Sequence, residues 1–252
     1  NTYEKIKTLR FPRLDYYPSQ VVVADATLNL ETNAIKRRVA WVIPINVLAL
    51  ESIFATPMLD RLPSDWVPSP ATHHERFCGY MSKSFDFSRF DSTVNALFIN
   101  MAFDIVESLF DFSYYYGGAI RTNQEHLRNV WSFIKRYFVY TPFKTTLRSD
   151  IRTKHHGVPS GSMFTNIIDT IVSYLIMEYM HTYLGCRKYE ISTYGDDIHV
   201  ANCQCKPKEL ESLALQLGLI LKVELPNEHG CLTYCKAECH KGEAFHSGQW
   251  FA

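Results

Sequence analysis

Apolar residues recur at helical spacing in several long stretches of the chain. The clearest stretch covers 92–111, where Ser92 or Thr93 is suited to cap the predicted helix. Its apolar positions are Val94, Leu97, Phe98, Met101, Ile105 and Leu109. The same pattern predicts helices over 47–55, 123–138, 165–183 and 207–217, the last of them ended by Gly218.

Shorter apolar runs predict strands, and two of them flank the sequence Tyr-Gly-Asp-Asp at 194–197. Residues 191–194 and 198–201 form a predicted hairpin, in which Gly195 is free to take a positive φ. Further strands are predicted over 36–45 and over 219–225, and residues 85–87 are predicted to be the end of another. The mixture indicates an α+β fold, in which a small antiparallel sheet carries the hairpin and is backed by helices.

Proline marks the segments that we predict to be irregular. Pro12 and Pro18 are expected to divide 1–30 into short pieces, and 57–70 is expected to be an irregular connection that contains four prolines. The chain shows no internal repeat and no low-complexity segment.

The composition favours a globular protein without a strong overall field. The chain has 252 residues, of which 46% are hydrophobic and 21% charged, enough for one large core or two packed subdomains. Its net charge is +0, so any affinity for nucleic acid must come from local basic clusters. Without a signal peptide, a membrane-length apolar run or an initiator Met, we expect a soluble intracellular protein that is a piece of a longer one.

Seven cysteines, an odd number, argue against a closed disulfide framework. Five of them crowd the C-terminal part, and His240 adjoins the last: Cys203, Cys205, Cys231, Cys235 and Cys239. Thiolates and a histidine could bind zinc, but these spacings are not those of a zinc ribbon or finger. We therefore predict reduced, partly buried thiols and no structural zinc.

Acidic residues stand at two places that favour metal chemistry. Asp196 and Asp197 lie at the tip of the predicted hairpin, where like charges repel and a divalent cation would relieve them; a solvated turn is the alternative. Upstream, Asp86 lies between two phenylalanines and needs a partner, whereas Asp91 could simply cap the next helix. Asp86 and Asp196 together could share two Mg²⁺ ions for an in-line phosphoryl displacement.

Two weaker signals accompany the acidic residues. In the turn at 157–162, Gly161 permits close approach of a ligand and Ser160 offers a hydroxyl, while Thr165 and Asp169 lie one helical turn apart; a plain glycine turn before a helix is the alternative. In the predicted strand at 36–45, Lys36 and Arg38 share a face suited to triphosphate oxygens, with a solvated basic face as the alternative.

These motifs occur in the order found in the palm of viral RNA-dependent RNA polymerases, which the chain resembles over about 34–250. Residues 36–44 and 157–169 look most like the partitivirus and picobirnavirus group, with its Lys-x-Arg-(Leu/Val)-Val-Trp-Gly-Tyr-Pro and Gly-x-Pro-Ser-Gly-Ser-x-Phe-Thr segments. Val42 replaces the usual glycine, and Asp169 stands where many relatives carry asparagine. The resemblance implies a right-hand palm with part of the fingers. It divides the chain into partial fingers (1–80), palm (81–111), a fingers insertion (112–150) and palm (151–252), without a thumb.

The resemblance also implies a role for each motif residue. Asp86, Asp196 and Asp197 would bind the metals; Asp91, Thr165 and Asp169 would recognise the ribose 2′-OH; Ser160 and Gly161 would contact the template or nascent pair; Lys36 and Arg38 would neutralise the triphosphate; Lys236, rather than Lys222, would protonate the leaving pyrophosphate. Residues 245–248 would form the primer-gripping turn, with an insertion relative to the usual Phe-Leu-Gly.

The implied activity is RNA-templated addition of NTPs to a 3′-OH, with Mg²⁺ as cofactor and Mn²⁺ as its alternative. Expected partners are the RNA template, a primer or nascent strand, NTPs and a viral capsid protein, with no membrane, inside the virion or in the host cytoplasm. A reverse transcriptase is the enzymatic alternative, against which Ser160, Gly161 and Asp91 argue. A non-catalytic RNA-binding palm is the other alternative, which the intact Asp86, Asp196 and Asp197 disfavour.

Overall fold

Secondary structure accounts for most of the chain in the computed structural model, which describes residues 2–29, 34–63, 66, 81–115, 118, 120–145, 148–226, 232–235, 237–240 and 243–246. The helices are α1 (Thr2–Ile6), α2 (Ile45–Leu59), α3 (Phe90–Thr93), α4 (Ala96–Ser108), α5 (Gln124–Val139), α6 (Thr165–Tyr183) and α7 (Pro207–Gln216). The strands are β1 (Ser19–Asn29), β2 (Ala34–Val42), β3 (Lys83–Phe87), β4 (Pro142–Thr145), β5 (Arg148–Thr153), β6 (Glu190–Tyr194), β7 (Asp197–Ala201), β8 (Leu221–Glu224), β9 (Thr233–Tyr234), β10 (Ala237–His240) and β11 (Glu243–His246). The α+β class predicted from the sequence is confirmed.

The chain divides into two compact units. The first comprises Asn1–Arg61 and Val94–Thr165, and the second comprises Leu62–Thr93 and Asn166–Ala252. Each unit contains parts of the predicted fingers and of the predicted palm, so the division into fingers and palm stays a prediction. No described helix combines the length and the apolar character that crossing a membrane requires.

An antiparallel sheet with the strand order β6-β7-β3-β8 organises the second unit. Side chains alternate between the two faces of β3, so Phe85 and Phe87 are buried while Asp86 is exposed. Phe85 is paired with Ile198 on β7, and Asp86 is paired with Lys222 on β8. The predicted antiparallel sheet that carries the acidic hairpin is therefore present, with Asp86 on one of its two central strands. β9, β10 and β11 form a separate three-stranded sheet.

The core of the first unit is an aromatic cluster around Trp131 on α5. Its indole ring lies 5.2–5.6 Å, between centroids, from four phenylalanine rings, those of Phe54, Phe103, Phe110 and Phe164. The indole N–H donates to Glu107 Oε2 at 2.9 Å, which satisfies the polar atom of this otherwise apolar side chain. A sheet with the order β2-β1-β4-β5 completes the unit, and in it β1 runs parallel to β4.

Three local predictions were wrong for identifiable reasons. Residues 92–111 do not form one helix, because α3 ends at Thr93 and a new N-cap follows: the Asn95 side chain accepts from Phe98 N at 3.1 Å. Ser92 and Thr93 instead donate to the Arg89 carbonyl. Pro57 lies inside α2, close enough to its C-terminus that the helix continues to Leu59.

The strand predicted over 36–45 ends earlier, at Val42, and the N-terminal pieces predicted before residue 30 include β1, a strand of 11 residues. The helices predicted over 123–138, 165–183 and 207–217 are confirmed to within one residue at each end, and Gly218 takes a φ of +79° beyond the last of them.

Candidate active site

The acidic hairpin has the tight turn that its sequence predicts. Tyr194 and Asp197 are paired across β6 and β7, which leaves Gly195 and Asp196 as the two turn residues. Gly195 has a φ of +63°, a conformation that glycine adopts without strain, and a positive φ at the first turn position fits a type II′ turn. Asp196 and Asp197 are both exposed at the tip.

Helix α6 holds this turn in place through two hydroxyl side chains. Thr170 Oγ1 accepts from Gly195 N at 2.8 Å, and Ser173 Oγ donates to Gly195 O at 2.9 Å. Thr170 Oγ1 in turn donates to Asn166 O at 2.6 Å. Neither residue was predicted from the sequence, where their signal is a pair of hydroxyl residues three apart on a largely apolar helix.

Three carboxylates influence one another electrostatically beside the turn. Asp169 on α6 is 4% exposed, and its Oδ1 has no hydrogen-bond partner among the described residues. Burial raises the pKa of Asp169 well above its ordinary value, and the charges of Asp91 and Asp196 raise it further. The pKa of Asp91 is also raised, first by desolvation and then by Asp196. The structure thus brings together Asp91, Asp169 and Asp196, which are far apart in sequence.

Asp86 faces the same hairpin from the neighbouring strand. The register that pairs Phe85 with Ile198, continued by one residue, sets Asp86 across from Asp197. On its other side Asp86 is paired with Lys222, whose Nζ donates to Glu224 Oε1 at 2.6 Å. That hydrogen bond raises the pKa of Lys222, with a smaller contribution from the charge of Asp86.

The donor atoms of this cluster fit a divalent cation that prefers oxygen ligands. Carboxylates provide the ligands that Mg²⁺ takes, and no lysine or arginine among the described residues forms an ion pair with Asp91, Asp169 or Asp196. A buried Asp169 oxygen without a partner is a further sign of a missing positive or hydrogen-bonding group. The metal ligands predicted from the sequence, Asp86, Asp196 and Asp197, lie on β3, in the hairpin turn and at the start of β7, and their role stays a prediction.

In the first unit, a buried carboxylate on α2 holds the turn that precedes α6. Glu51 is 1% exposed, and it accepts from Ser162 Oγ at 2.8 Å and from Met163 N at 2.9 Å. Ser162 Oγ also accepts from Phe164 N at 3.1 Å. Burial raises the pKa of Glu51, and the two hydrogen bonds oppose that rise. Glu51 was not predicted as a functional residue, and its signal in the sequence is an acidic residue inside a predicted apolar helix.

The same turn contains Ser160, Gly161 and Pro159, whose carbonyl accepts a hydrogen bond from Thr165. Ser160 is exposed, and Thr165 Oγ1 donates to Pro159 O at 2.7 Å. A Cβ added to Gly161 would lie 2.0 Å from the backbone oxygen of Trp41 on β2. The absence of a side chain at Gly161 therefore has a packing reason within the protein.

We expect Gly161→Ala to lower the free energy of unfolding by about 1–3 kcal/mol, the usual cost of overpacking. The obstructing Trp41 oxygen belongs to a paired strand and cannot rotate away. Chemical denaturation would measure the loss, with Ser160→Ala as the matched control, expected within about 0.5 kcal/mol of the wild type. Equal stability of the Gly161→Ala protein would contradict the packing argument.

Lys154, which precedes the turn at 157–162, is buried. Its ammonium group donates to the Gly157 carbonyl and lies 5.8 Å from the centroid of the Phe138 ring. Desolvation lowers the pKa of Lys154 from 10.5 to about 7. Burial therefore favours the neutral amine of Lys154 far more than that of an exposed lysine.

The lowered pKa predicts a pH-dependent stability. Between pH 7 and ~10.4 the unfolded chain binds a proton on Lys154 that the folded chain does not, so stability rises with pH by up to about 1.4 kcal/mol per unit. Lys154→Met should remove that rise. The free energy of unfolding of the variant should therefore exceed that of the wild type most at or below pH 7, where the buried lysine of the wild type is charged. Denaturation between pH 6 and 10 would measure it, with the exposed Lys144→Met as control; parallel profiles for Lys154→Met and the wild type would refute the prediction.

Three predicted site residues have side chains outside the described part of the chain. Lys36 and Arg38 lie on β2, paired with Thr27 and Asp25, but their side chains lie outside the described part of the chain. Lys236 also lies outside the described residues, as do 247 and 248 of the predicted primer-gripping turn.

Comparison with known proteins gives consistent similarities. Residues 24–217 match the family of viral RNA-dependent RNA polymerases. Over 94 residues, 37% of this chain, the sequence is 39% identical to the RNA-directed RNA polymerase of Cryptosporidium parvum virus 1 (strain KSU-1), and the match covers 16% of that protein. The fold resembles the polymerase of a human picobirnavirus, with a TM-score of 0.65, 19% identity, 90% of this chain and 45% of that one. It also resembles the Sicinivirus 3Dpol polymerase, with a TM-score of 0.61, 14% identity, 93% of this chain and 52% of that one. The chain thus spans about half the length of the solved polymerases that it matches.

Proposed function

The chain belongs to the family of viral RNA-dependent RNA polymerases, and we propose that it forms part of an enzyme that joins NTPs into RNA on an RNA template. The observation that carries the proposal is the group of Asp91, Asp169 and Asp196 around the hairpin turn, with Asp86 on the adjacent strand. Carboxylates grouped in this way, without a described basic partner for the first three, suit a site that receives cations and phosphate together.

In this proposal Asp86 and Asp196 bind two divalent cations, and Asp197 assists them. Bound Mg²⁺, or Mn²⁺ in its place, would supply Lewis-acid stabilisation of the attacking 3′-oxygen and the leaving pyrophosphate. The protein's own contribution is positioning. Thr170 and Ser173 fix the turn that carries Asp196, and the sheet fixes Asp86, so the carboxylates need little reorganisation during the reaction.

We further propose that Asp169 and Asp91 recognise the ribose of the incoming nucleotide. A carboxyl oxygen without a partner can accept a hydrogen bond in either protonation state, so the unpartnered Asp169 oxygen suits the hydroxyl that distinguishes NTP from dNTP. Thr165 is predicted to take part, and its oxygen keeps acceptor capacity while its hydrogen bonds Pro159. Ser160, Gly161, Lys36 and Arg38 keep their predicted contacts with RNA and triphosphate. Lys236 stays the predicted proton donor, with Lys222 beside Asp86 as its alternative.

Asp91→Ala is expected to reduce the preference for NTP over dNTP by roughly 10–100-fold, because a hydrogen bond to a charged group contributes about 1.5–3 kcal/mol. The measurement is the ratio of kcat/KM values for the two nucleotides. Asp104→Asn, an exposed carboxylate on α4, is the control and should leave the ratio unchanged. A ratio that Asp91→Ala does not alter would remove Asp91 from sugar recognition.

The test of the proposed function is primer extension on an RNA template with Mg²⁺, comparing NTPs with dNTPs, by this chain and by the longer protein if the chain is part of one. Extension with NTPs is the expected result. Preference for dNTPs would favour a reverse transcriptase. RNA binding that is independent of Mg²⁺, without extension by any length of the protein, would favour the non-catalytic alternative. The remaining proposals depend on extension with NTPs. They are replication and transcription of a viral genome, a capsid partner, and a location in the virion or host cytoplasm.

A further inference from the structure

A second group of possible metal ligands lies in the second unit and has no part in the proposed reaction. Ligand atoms of His181, Cys186 and Cys205 all lie within 4.8 Å of one another. Cys203 lies next to this group, because its Sγ is 3.2 Å from His181 Nε2, but it is not one of the three residues whose ligand atoms are all within 4.8 Å of one another. His181, Cys203 and Cys205 are buried, and Cys186 is partly buried. This set differs from the one considered in the sequence analysis, which omitted Cys186 and His181.

Two well-defined chain turns bring these residues together. At the end of α6, Gly185 has a φ of +67° and donates from its N–H to Thr182 O at 3.1 Å, while Cys186 N donates to His181 O at 2.9 Å. This pair of bonds is a Schellman motif, which folds Cys186 back over the last turn of the helix and thus over His181. After β7, Cys203 N donates to Met81 O at 2.8 Å, which holds the Cys-x-Cys segment.

The histidine is oriented as a metal ligand would be. His181 Nδ1 lies 2.8 Å from Met177 O, and because a carbonyl oxygen only accepts, Nδ1 carries the proton. The lone pair of the neutral ring is then on Nε2, the nitrogen that contacts the Cys203 thiol. A backbone carbonyl that fixes the tautomer of a ligating histidine is a common second layer around zinc.

Lys83 provides the charge that such a site needs. It is 8% exposed and donates to the Cys203 carbonyl, and no carboxylate among the described residues forms an ion pair with it. Three thiolates and one Zn²⁺ carry a net charge of −1, which the Lys83 ammonium group would balance.

We propose that His181, Cys186, Cys203 and Cys205 bind one structural zinc ion. Three sulfurs and one nitrogen are a common tetrahedral zinc set, in which Zn–S bonds of ~2.3 Å require ligand separations of about 3.8 Å. The ligand atoms of His181, Cys186 and Cys205 already lie within 4.8 Å of one another, and Cys203, whose Sγ contacts His181 Nε2 at 3.2 Å, would complete the set by turning its side chain toward the two other sulfurs. The ion would join the end of α6 to the end of β7, the strand that begins with Asp197.

The test is the zinc content of the reduced full chain, purified without a metal-affinity step and measured by elemental analysis. We expect about one zinc per chain, lost in Cys186→Ser, Cys203→Ser and Cys205→Ser. Two matched controls should keep it: Cys235→Ser, which removes a different thiol, and Asp196→Asn, which removes a proposed Mg²⁺ ligand. Zinc content does not depend on polymerase activity, so this result is separate from the test of the proposed function.

Cobalt substitution makes the test independent of whether the variants fold. Co²⁺ added to the metal-free wild type should give thiolate-to-cobalt charge-transfer bands and the intense visible bands of tetrahedral cobalt. Wild-type protein without zinc and without these bands would overturn the proposal, as would zinc retained in both Cys186→Ser and Cys205→Ser. A Cys186–Cys205 disulfide found in place of the metal in freshly prepared reduced protein would also overturn it.

Discussion

Asp196→Asn is expected to reduce RNA-templated NTP incorporation by about a thousandfold or more. The substitution keeps the size of the side chain and the turn, whose hydrogen bonds involve the backbone of Gly195, but it removes one negative charge from the proposed metal ligands. Weakened metal binding would remove several kcal/mol of stabilisation that exists only while charge develops at the reacting phosphate. Single-nucleotide extension rates at saturating Mg²⁺ would measure the loss.

A stability measurement separates this loss from misfolding. Asp196 adds to the repulsion that raises the pKa values of Asp91 and Asp169, so without metal the Asp196→Asn protein should be at least as stable as the wild type. Mg²⁺ should raise the Tm of the wild type by mass action and that of the variant much less. Asp104→Asn, which removes only an ion pair with Lys135, should match the wild type in the response of its Tm to Mg²⁺. Full activity of Asp196→Asn, or an equal response of its Tm to Mg²⁺, would refute the metal role.

Glu51→Ala is expected to lower the free energy of unfolding by about 3–5 kcal/mol. Truncation leaves the Ser162 hydroxyl and the Met163 N–H without their acceptor in a buried place, at about 1–3 kcal/mol for each group, and it opens a cavity in addition. Chemical denaturation of the full chain would measure the change. Because Glu51 holds the turn that contains Ser160 and Gly161, this turn should become susceptible to proteolysis in the variant.

Glu51→Gln distinguishes the hydrogen bonds from the charge. An amide keeps one acceptor oxygen, so one of the two bonds survives, and it avoids the cost of burying a charge that the raised pKa of Glu51 reveals. We therefore expect a loss clearly smaller than that of Glu51→Ala. Ser52→Ala, the next residue on α2, should change stability by less than about 0.5 kcal/mol. Equal losses for Gln and Ala would mean that the second hydrogen bond, or the charge itself, dominates.

The parts of the site that the sequence predicted are those determined by neighbouring residues. Gly195 between two short apolar runs defines a hairpin turn, and the apolar spacing of 165–183 defines α6 to the residue, because both patterns depend on local geometry alone. The alternation of Phe85, Asp86 and Phe87 likewise indicated which side chain would be exposed on the strand.

The missed features depend on contacts between distant residues. β1 follows two prolines and is stabilised by pairing with β2 and with β4, which lies more than a hundred residues away. Glu51 appeared as an acidic residue in an apolar helix, and its partner Ser162 is 111 positions further on. Cys186 follows α6 and Cys205 follows β7, and the fold brings their sulfur atoms within 4.8 Å of each other. No local sequence pattern predicts contacts between residues so far apart.

The hairpin turn and the strand that carries Asp86 are held by contacts of very different sequence separation. The bonds that fix the Gly195 turn span only 22 and 25 residues, so the entropy lost in closing that loop is small. Asp86 instead reaches the hairpin through pairing of β3 with β7, across more than a hundred residues. The hairpin and its helix are therefore expected to assemble early in folding, and the docking of β3 to be the slower event that completes the carboxylate group.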